Sequence, residues 1–160
     1  MEIRDKVVII TGASGGIGQA AALAFGHSGA KVVLVARRSE ILQEIASKMN
    51  NTLVITADLS KEEDCLGMIE QTISRFQRID ILINNASAIN LTPTEKTPAK
   101  RFDLMLDVNV RGTFLASQAA IPHLRKSAQE GRNPHILTLS PPLSMNPKWF
   151  KPHVAYTISK

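Results

Sequence analysis

Residues 7–18 constrain the fold of this chain more than any other part of the sequence. They read Val-Val-Ile-Ile-Thr-Gly-Ala-Ser-Gly-Gly-Ile-Gly, an apolar run that enters a glycine cluster. A short run of β-branched residues is typical of a buried strand in a parallel sheet. Residues 19–25 are strong helix formers. This order predicts a phosphate-binding turn, because the helix N-terminus presents free N–H groups and the positive end of its dipole.

The three spaced glycines of this turn have different expected roles. Gly12 permits the tight turn, Gly16 lets the backbone approach a pyrophosphate, and Gly18 lets the helix pack close to the strand. Thr11 and Ser14 add hydroxyl groups. The spacing is Gly-x-x-x-Gly-x-Gly rather than the commoner Gly-x-Gly-x-x-Gly. Between a strand and a helix it predicts dinucleotide binding, and a purely structural turn is the alternative.

Length, cysteine content and charge narrow the class of protein. The 160 residues are enough for one domain with a hydrophobic core. Cys65 is the single cysteine, which leaves no disulfide within the chain and indicates a reducing compartment, so we expect a cytoplasmic protein. The formal net charge of +5 comes from scattered Lys and Arg, which favours a solvated surface with a positive bias towards a phosphorylated cofactor over nucleic acid. The sequence contains no run of about twenty apolar residues, so we expect no membrane span. Its N-terminus does not resemble a signal peptide.

Strand and helix patterns alternate along the chain with short connections. Strands are predicted at residues 7–10, 31–36, 52–56, 79–83 and 135–139, and helices at 19–25, 40–49, 62–76 and 101–125, with one more beginning at 153. Ser39 and Ser60 are expected to cap the second and third helices, the latter with Glu63 as its capping-box partner. The long helix is expected to bend at Gly112 and Pro122.

This alternation predicts an α/β fold, a doubly wound parallel sheet of the Rossmann type with helices on both faces. The expected strand order is 3-2-1-4-5 in a single dinucleotide-binding domain that spans residues 1–160. The ligand crevice should lie at the carboxyl ends of strands one and four, where the strand order reverses.

The ends of the second and third strands bear on the choice of cofactor. An acidic residue that recognises the ribose 2′-hydroxyl is expected about twenty residues after the glycines, but Ala36 stands there, followed by Arg37 and Arg38. A guanidinium pairs with a 2′-phosphate, which favours NADP over NAD, and two surface arginines at a helix entrance are the alternative. Asp58 follows the third strand and could accept a hydrogen bond from an adenine amine or cap the next helix.

Two further patterns follow the fourth and fifth strands. Asn84 and Asn85, before Ala86, could stitch neighbouring strands together and line the adenosine ribose, or could form a simple turn. Tyr156 and Lys160 are four residues apart on a nascent helix and share a face. A nearby cation favours the phenolate, so Tyr156 could act as a general acid or base towards an alcohol or carbonyl, and Lys160 could also hold the nicotinamide ribose.

These residues together resemble the short-chain dehydrogenase/reductase family. The resemblance covers the whole chain and is carried by Thr11-Gly12-Ala13-Ser14-Gly15-Gly16-Ile17-Gly18, Asp58, Asn84-Asn85-Ala86, Asn109 and Tyr156-Thr157-Ile158-Ser159-Lys160. It implies an NADP(H)-dependent oxidoreductase that moves hydride between nicotinamide and a carbonyl or alcohol substrate, and a homo-oligomer.

The resemblance also implies roles for individual residues. Tyr156 would exchange the proton, Lys160 would bind ribose and favour the phenolate, and Asn109 would hold a water in the proton relay. The residues expected to contact cofactor are Gly12, Ser14, Gly16, Ile17, Gly18, Arg37, Asp58, Leu59, Asn85, Ala86, Tyr156 and Lys160.

The sequence departs from the family pattern at three places. Gly15 stands where the family often carries a basic residue, which leaves the NADP prediction to Arg37. The family's catalytic serine follows strand five, where this chain reads Ser140-Pro141, so Ser140 or Ser144 is the candidate to polarise a substrate carbonyl. The sequence stops at Lys160, so we expect a family fold truncated early in the catalytic helix, and a catalytically silent nucleotide-binding or assembly module is the alternative function.

Overall fold

Aliphatic and β-branched runs form the strands of one parallel sheet. A computed structural model describes residues 2–141, 146, 148 and 153–160. Within them the strands are β1 (Val7–Thr11), β2 (Lys31–Ala36), β3 (Thr52–Thr56), β4 (Ile81–Asn84) and β5 (His135–Thr138). All pair in parallel in the order β3-β2-β1-β4-β5, which confirms the predicted fold class and strand order.

The helices connect successive strands and cover both faces of the sheet. They are α1 (Gly16–His27), α2 (Ser39–Ala46), α3 (Glu62–Phe76), α4 (Ala99–Leu106), α5 (Thr113–Gln129) and α6 (Val154–Ile158). A short 3-10 turn spans Thr94–Lys96, and a π-helical turn at Asp107–Gly112 joins α4 to α5. The predicted long helix is therefore longer than 101–125, and the π-helical turn that ends at Gly112 interrupts it. Pro122 lies inside α5.

The sheet is buried on both faces, which explains why its strands are apolar throughout. Val7 and Ile9 of β1 pack towards α3 and α5, whereas Val8 and Ile10 pack towards α1 and α2. All four side chains are fully buried. The two core layers hold the strand ends in fixed register, and these ends carry the candidate site.

Local hydrogen bonds correct the predicted caps. α2 begins at Ser39 itself, and the hydroxyl of Ser60 does not cap α3, which begins at Glu62 without a side-chain cap. Ser60 donates instead to the carboxylate of Asp58, through its N–H at 3.1 Å and its hydroxyl at 2.8 Å. The predictions for both caps were wrong, because neither α2 nor α3 has a side-chain hydrogen bond at its N-terminus.

The amino ends of the strands meet at one buried carboxylate, Asp80. It accepts the N–H of Val7 at 2.8 Å and guanidinium hydrogens of Arg132 at 2.7 Å and of Arg78 at 3.3 Å. Burial raises the pKa of Asp80, but the hydrogen bonds and charges of these partners outweigh burial, and the net pKa lies below its ordinary value. Both arginines also donate to the carbonyl of Asp5, so this cluster ties the N-terminal segment to β4 and to the approach to β5.

Candidate functional site

A cleft of about 510 Å³ opens at the carboxyl ends of the strands. It lies where the strand order reverses, between β1 and β4, as the sequence predicts. Of the residues predicted to contact cofactor, seven line it: Gly12, Ser14, Arg37, Asp58, Leu59, Asn85 and Ala86. The lining also includes Arg38, Ser87, Ala88, Arg101 and Val108, which the sequence did not single out as contacts.

The glycine turn has no room for side chains at two positions. Gly12 has a φ of +66°, and a Cβ there would lie 2.8 Å from the Cα of Ala86. A Cβ on Gly18 would overlap the carbonyl oxygen of Gly12 and the side-chain nitrogen of Asn85. Gly16 has a φ of +55° and open space where a Cβ would stand, so its requirement is conformational. The predicted close packing of helix against strand is therefore present at Gly18.

Thr11 and Asn85 stitch β1 to β4 beneath the cleft. The Thr11 hydroxyl donates to the carbonyl of Ile83 and accepts the N–H groups of Asn85 and Ala86. The side-chain nitrogen of Asn85 donates to the carbonyls of Thr11 at 2.9 Å and Gly12 at 3.1 Å. The stitching role that the sequence offered for the asparagine pair is thus seen at Asn85.

Positive charge collects where β2 enters the cleft. Arg37 and Arg38 are both exposed and both line it. A guanidinium nitrogen of Arg38 lies 3.1 Å from the hydroxyl oxygen of Ser14, to which it donates across the mouth of the glycine turn. Arg38 therefore reaches from the end of β2 to the glycine turn.

Asp58 places a carboxylate in the same cleft, just after the neighbouring strand β3. Its Oδ1 accepts both hydrogen bonds from Ser60. Burial raises the pKa of Asp58, but the Ser60 hydrogen bonds and the charges of Arg37 and Lys61 outweigh burial and hold the pKa below its ordinary value. The group is ionised at neutral pH and can accept further hydrogen bonds from a ligand.

Asn109 lies in the π-helical turn and is buried. Its Oδ1 accepts the N–H of Ala88, and its Nδ2 donates to the carbonyl of Ala88 and to the hydroxyl of Ser159. Both amide hydrogens are used, so a water at this side chain could only donate to Oδ1. π-helical turns inside α-helices are frequent at functional sites, and here the turn places Asn109 between the cleft loop and α6.

Tyr156 and Lys160 occupy α6 and the residues just after it, outside the lining of the cleft. The Lys160 ammonium donates to the carbonyl of Leu139 at 3.0 Å, at the carboxyl end of the β5 edge. Burial lowers the pKa of Lys160. Ser140 is exposed, and its hydroxyl donates to the adjacent carbonyl of Pro141, whereas Ser144 lies outside the described residues.

Ile17 is not among the residues that line the cleft. It is 68% exposed and, with Gly18, Leu137 and Leu139, lines a smaller apolar groove of about 180 Å³ beside β5. The sequence analysis named Arg38 either as a phosphate partner or as a surface arginine, and it did not single out Arg101 or Ser159. For Ser159 the only available signal was its place beside Lys160, and nothing in the sequence marks Arg101.

The fold and this arrangement define a short-chain dehydrogenase/reductase. The profile of the family described as short chain dehydrogenase matches residues 6–160, and the chain belongs to that family. It is 48% identical to hydroxysteroid dehydrogenase-like protein 2 of Danio rerio over 96% of this chain, and 46% identical to the Homo sapiens protein of the same name over the same share. The match covers 39% and 38% of those two proteins, so the chain spans about two fifths of their length.

Solved structures show the same fold. A short chain dehydrogenase from Mycobacterium thermoresistibile superposes with a TM-score of 0.87 at 41% identity, over 99% of this chain and 59% of that one. The 3-ketoacyl-(acyl-carrier-protein) reductase of Brucella melitensis, solved in complex with NADH, gives 0.88 at 32% identity, over 98% of this chain and 65% of that one. The bound NADH is a property of the Brucella melitensis reductase, and it shows that one member of this fold at 32% identity holds a nicotinamide cofactor.

The described residues contain neither a membrane-spanning helix nor a cluster of metal-binding side chains. No helix in the described ranges has the length and apolar character to cross a membrane. No group of three or more His, Cys, Asp or Glu side chains among the same residues could hold a metal ion.

Proposed function

We propose that this chain is an NADP(H)-dependent oxidoreductase acting on a carbonyl or alcohol substrate. The observation that carries the proposal is the pair Arg37 and Arg38 in the cleft at the end of β2, with Ala36 where a ribose-binding acid would stand. A carboxylate at that position would repel a 2′-phosphate, whereas a guanidinium pairs with one in a bidentate geometry.

The residues present fit a dinucleotide. The first N–H groups of α1 can bind a pyrophosphate, and Gly12 and Gly18 keep the turn free of side chains that would displace it. Asp58 presents a carboxylate oxygen to an adenine amine, while Leu59 and Val108 supply apolar walls of the same cleft. The cofactor, when bound, would supply or accept the hydride.

Proton transfer would belong to α6. Tyr156 would hold or release the proton at the substrate oxygen, and Lys160 would stabilise the phenolate and bind ribose. Asn109 would hold a relay water at its remaining lone pair, and Ser140 or Ser144 would polarise the carbonyl. These roles, like the contacts of Gly16 and Ile17 with cofactor, remain predictions from the family pattern.

Two wider properties belong to the same proposal. The chain would form one dinucleotide-binding domain that acts on a small molecule as a homo-oligomer. Its cytoplasmic location is a prediction from the single cysteine, Cys65.

The experiment is a fluorescence titration of the chain with NADPH and with NADH. In Arg37→Gln and Arg38→Gln variants we expect NADPH affinity to fall about tenfold or more, because each removes a charge-assisted hydrogen bond to phosphate, while NADH affinity stays within about twofold. Arg125→Gln, which removes the same charge from an exposed position on α5, should leave both affinities unchanged. Equal loss for NADH, or a wild-type preference for NADH, would overturn the NADP assignment.

Turnover is followed as NADPH oxidation with a panel of carbonyl compounds. Tyr156→Phe should abolish turnover while NADPH binding is retained, because only the proton donor is removed. Binding without turnover in the wild-type chain would reject the enzyme and favour the nucleotide-binding or assembly module.

A further inference from the structure

The side chain of Asn109 joins two segments that are distant in sequence. Its hydrogen bonds to Ala88 measure 2.8 Å and 2.9 Å, and its bond to the Ser159 hydroxyl measures 2.9 Å. Ala88 lines the cleft, and Ser159 directly follows α6. One amide therefore connects the cleft loop to the helix that carries Tyr156.

The hydroxyl of Ser159 is the link on the α6 side. It donates to the carbonyl of Tyr156 at 2.8 Å and accepts from Asn109, so its one hydrogen is already used. Ser159 is 3% exposed and Asn109 is 6% exposed, so bulk water does not compete for these bonds. A buried polar group that loses its partner carries the cost of its own desolvation, which makes this link hard to replace.

α6 depends on such links for its position. It packs against α4, and Lys160 ties its far end to the carbonyl of Leu139 on the β5 side. Ser159 supplies the second tie, on the side of the π-helical turn.

We propose that Ser159 is a positioning residue whose hydroxyl fixes α6 to Asn109 and so sets where Tyr156 and Lys160 lie relative to the cleft. The catalytic consequence rests on the proposed function, whereas the positioning itself can be measured without turnover. Asn109 also binds the N–H and the carbonyl of Ala88. The cleft loop, which would contact a ligand, is therefore connected through Asn109 to the helix that carries Tyr156.

Three variants separate this role from a general contribution to stability. Ser159→Ala removes the hydroxyl and leaves the residues of α6 unchanged, because α6 ends at Ile158. Ser159→Thr keeps a hydroxyl. Ser127→Ala is the matched control, since Ser127 is 1% exposed and its hydroxyl donates to the carbonyl of Ile79, on the other side of the molecule from the cleft.

The first readout is amide hydrogen exchange, which requires no activity. In Ser159→Ala we expect exchange at Ala88 and within α6 to accelerate about threefold to tenfold relative to wild type, as expected for the loss of one buried hydrogen bond. Ser159→Thr should restore protection, and Ser127→Ala should leave both segments unchanged. Unchanged exchange in Ser159→Ala, or equal acceleration in Ser127→Ala, would overturn the proposal. This test does not depend on Ser159→Thr, whose additional methyl group has to fit the same site.

The second readout is steady-state kinetics with NADPH and the best carbonyl substrate. We expect kcat of Ser159→Ala to fall about tenfold, with KM and NADPH affinity within about twofold, because only the placement of the proton donor changes. A fall in NADPH affinity with kcat retained would overturn the positioning role. Absence of turnover in the wild type would fail the proposed function in its own assay, and hydrogen exchange alone would then decide the role of Ser159.

Discussion

Gly18 lies where the first turn of α1 passes the glycine turn, and its single hydrogen side chain is a packing requirement. We expect Gly18→Ala to destabilise the protein by about 2 kcal/mol, although alanine in a helix is ordinarily favourable, because its methyl would overlap Gly12 and Asn85. Urea denaturation measures the change. Gly15→Ala is the control, since Gly15 has extended backbone and a methyl there would find no atom closer than 4.0 Å. Equal effects of the two substitutions would contradict this account.

Cys65 provides a second prediction at the scale of one residue. Burial raises the pKa of its thiol to about 11 from 9.0, with the nearby Asp64 carboxylate contributing in the same direction. Two pH units reduce the thiolate fraction about a hundredfold, so a thiol reagent at pH 8 should modify the folded protein very slowly. The same reagent in denaturant should react at the rate of a free cysteine, and because the chain has one cysteine, the absorbance change reports this residue alone. Rapid modification of the folded protein would refute the burial of this thiol.

Asp80 ties several elements together, and its ionisation should be visible in the stability of the whole fold. The folded-state pKa lies below the ordinary 3.8, so the carboxylate contributes stability at pH values above 3.8, and this contribution is lost as the pH falls through the lower folded-state value. Asp80→Asn should destabilise the protein by about 3 kcal/mol at pH 7, because Arg78 and Arg132 lose their buried partner.

The difference in the free energy of unfolding between the wild type and the Asp80→Asn variant should shrink as the pH falls below 3.8, since wild-type Asp80 is then progressively neutralised. Thermal or urea unfolding across pH 2–7 follows this difference. A stability difference that stays constant over that range would show that the substitution removes something other than the charge, and Asp103→Asn on the surface of α4 controls for general charge effects.

Much of the fold follows from local sequence, because each strand is a short apolar run between turn residues. β2, β3 and α3 begin and end at the predicted residues. β4 begins at Ile81 rather than residue 79. The Ile79 carbonyl accepts the Ser127 hydroxyl, whereas the backbone of Asp80 already bonds to Val7 and His135. The π-helical turn could not be predicted, since its cause is tertiary: Asn109 is held by Ala88 and Ser159, which lie 21 and 50 residues away.

The candidate site divides in the same way. The glycine turn, Asp58 and Asn85 follow strand ends, and parallel strands bring their carboxyl ends to one edge, so their meeting in the cleft was predictable. The Arg38 contact with Ser14 depends on a side chain crossing between two loops, and Ser159 depends on a partner in another helix. Neither leaves a periodic or local mark in the sequence.

At the scale of the whole molecule, an exposed row of apolar side chains on α5 and the π-helical turn before it is a candidate surface for self-association. Val110, Phe114 and Ile121 are 47%, 61% and 38% exposed, at spacings that place them on one helical face. We expect a second copy of the chain to cover this row in a two-fold symmetric contact, so Phe114→Glu should shift the protein towards monomer in light scattering. Ala24→Glu adds the same charge to α1 on the opposite face of the sheet and should not. A monomeric wild type, or a shift with both variants, would contradict a contact through this row.

The placement of the Asp80 cluster has a practical consequence for engineering. It anchors the amino edge of the sheet, whereas the cleft with Arg37 and Arg38 occupies the carboxyl edge, about 16 Å away along the five residues of β1. The effects on stability of substitutions that far apart, and without shared partners, are usually additive. A library that diversifies cofactor preference at one edge can therefore be combined with stabilising changes at the other, and the two sets can be optimised in parallel and merged in a single step.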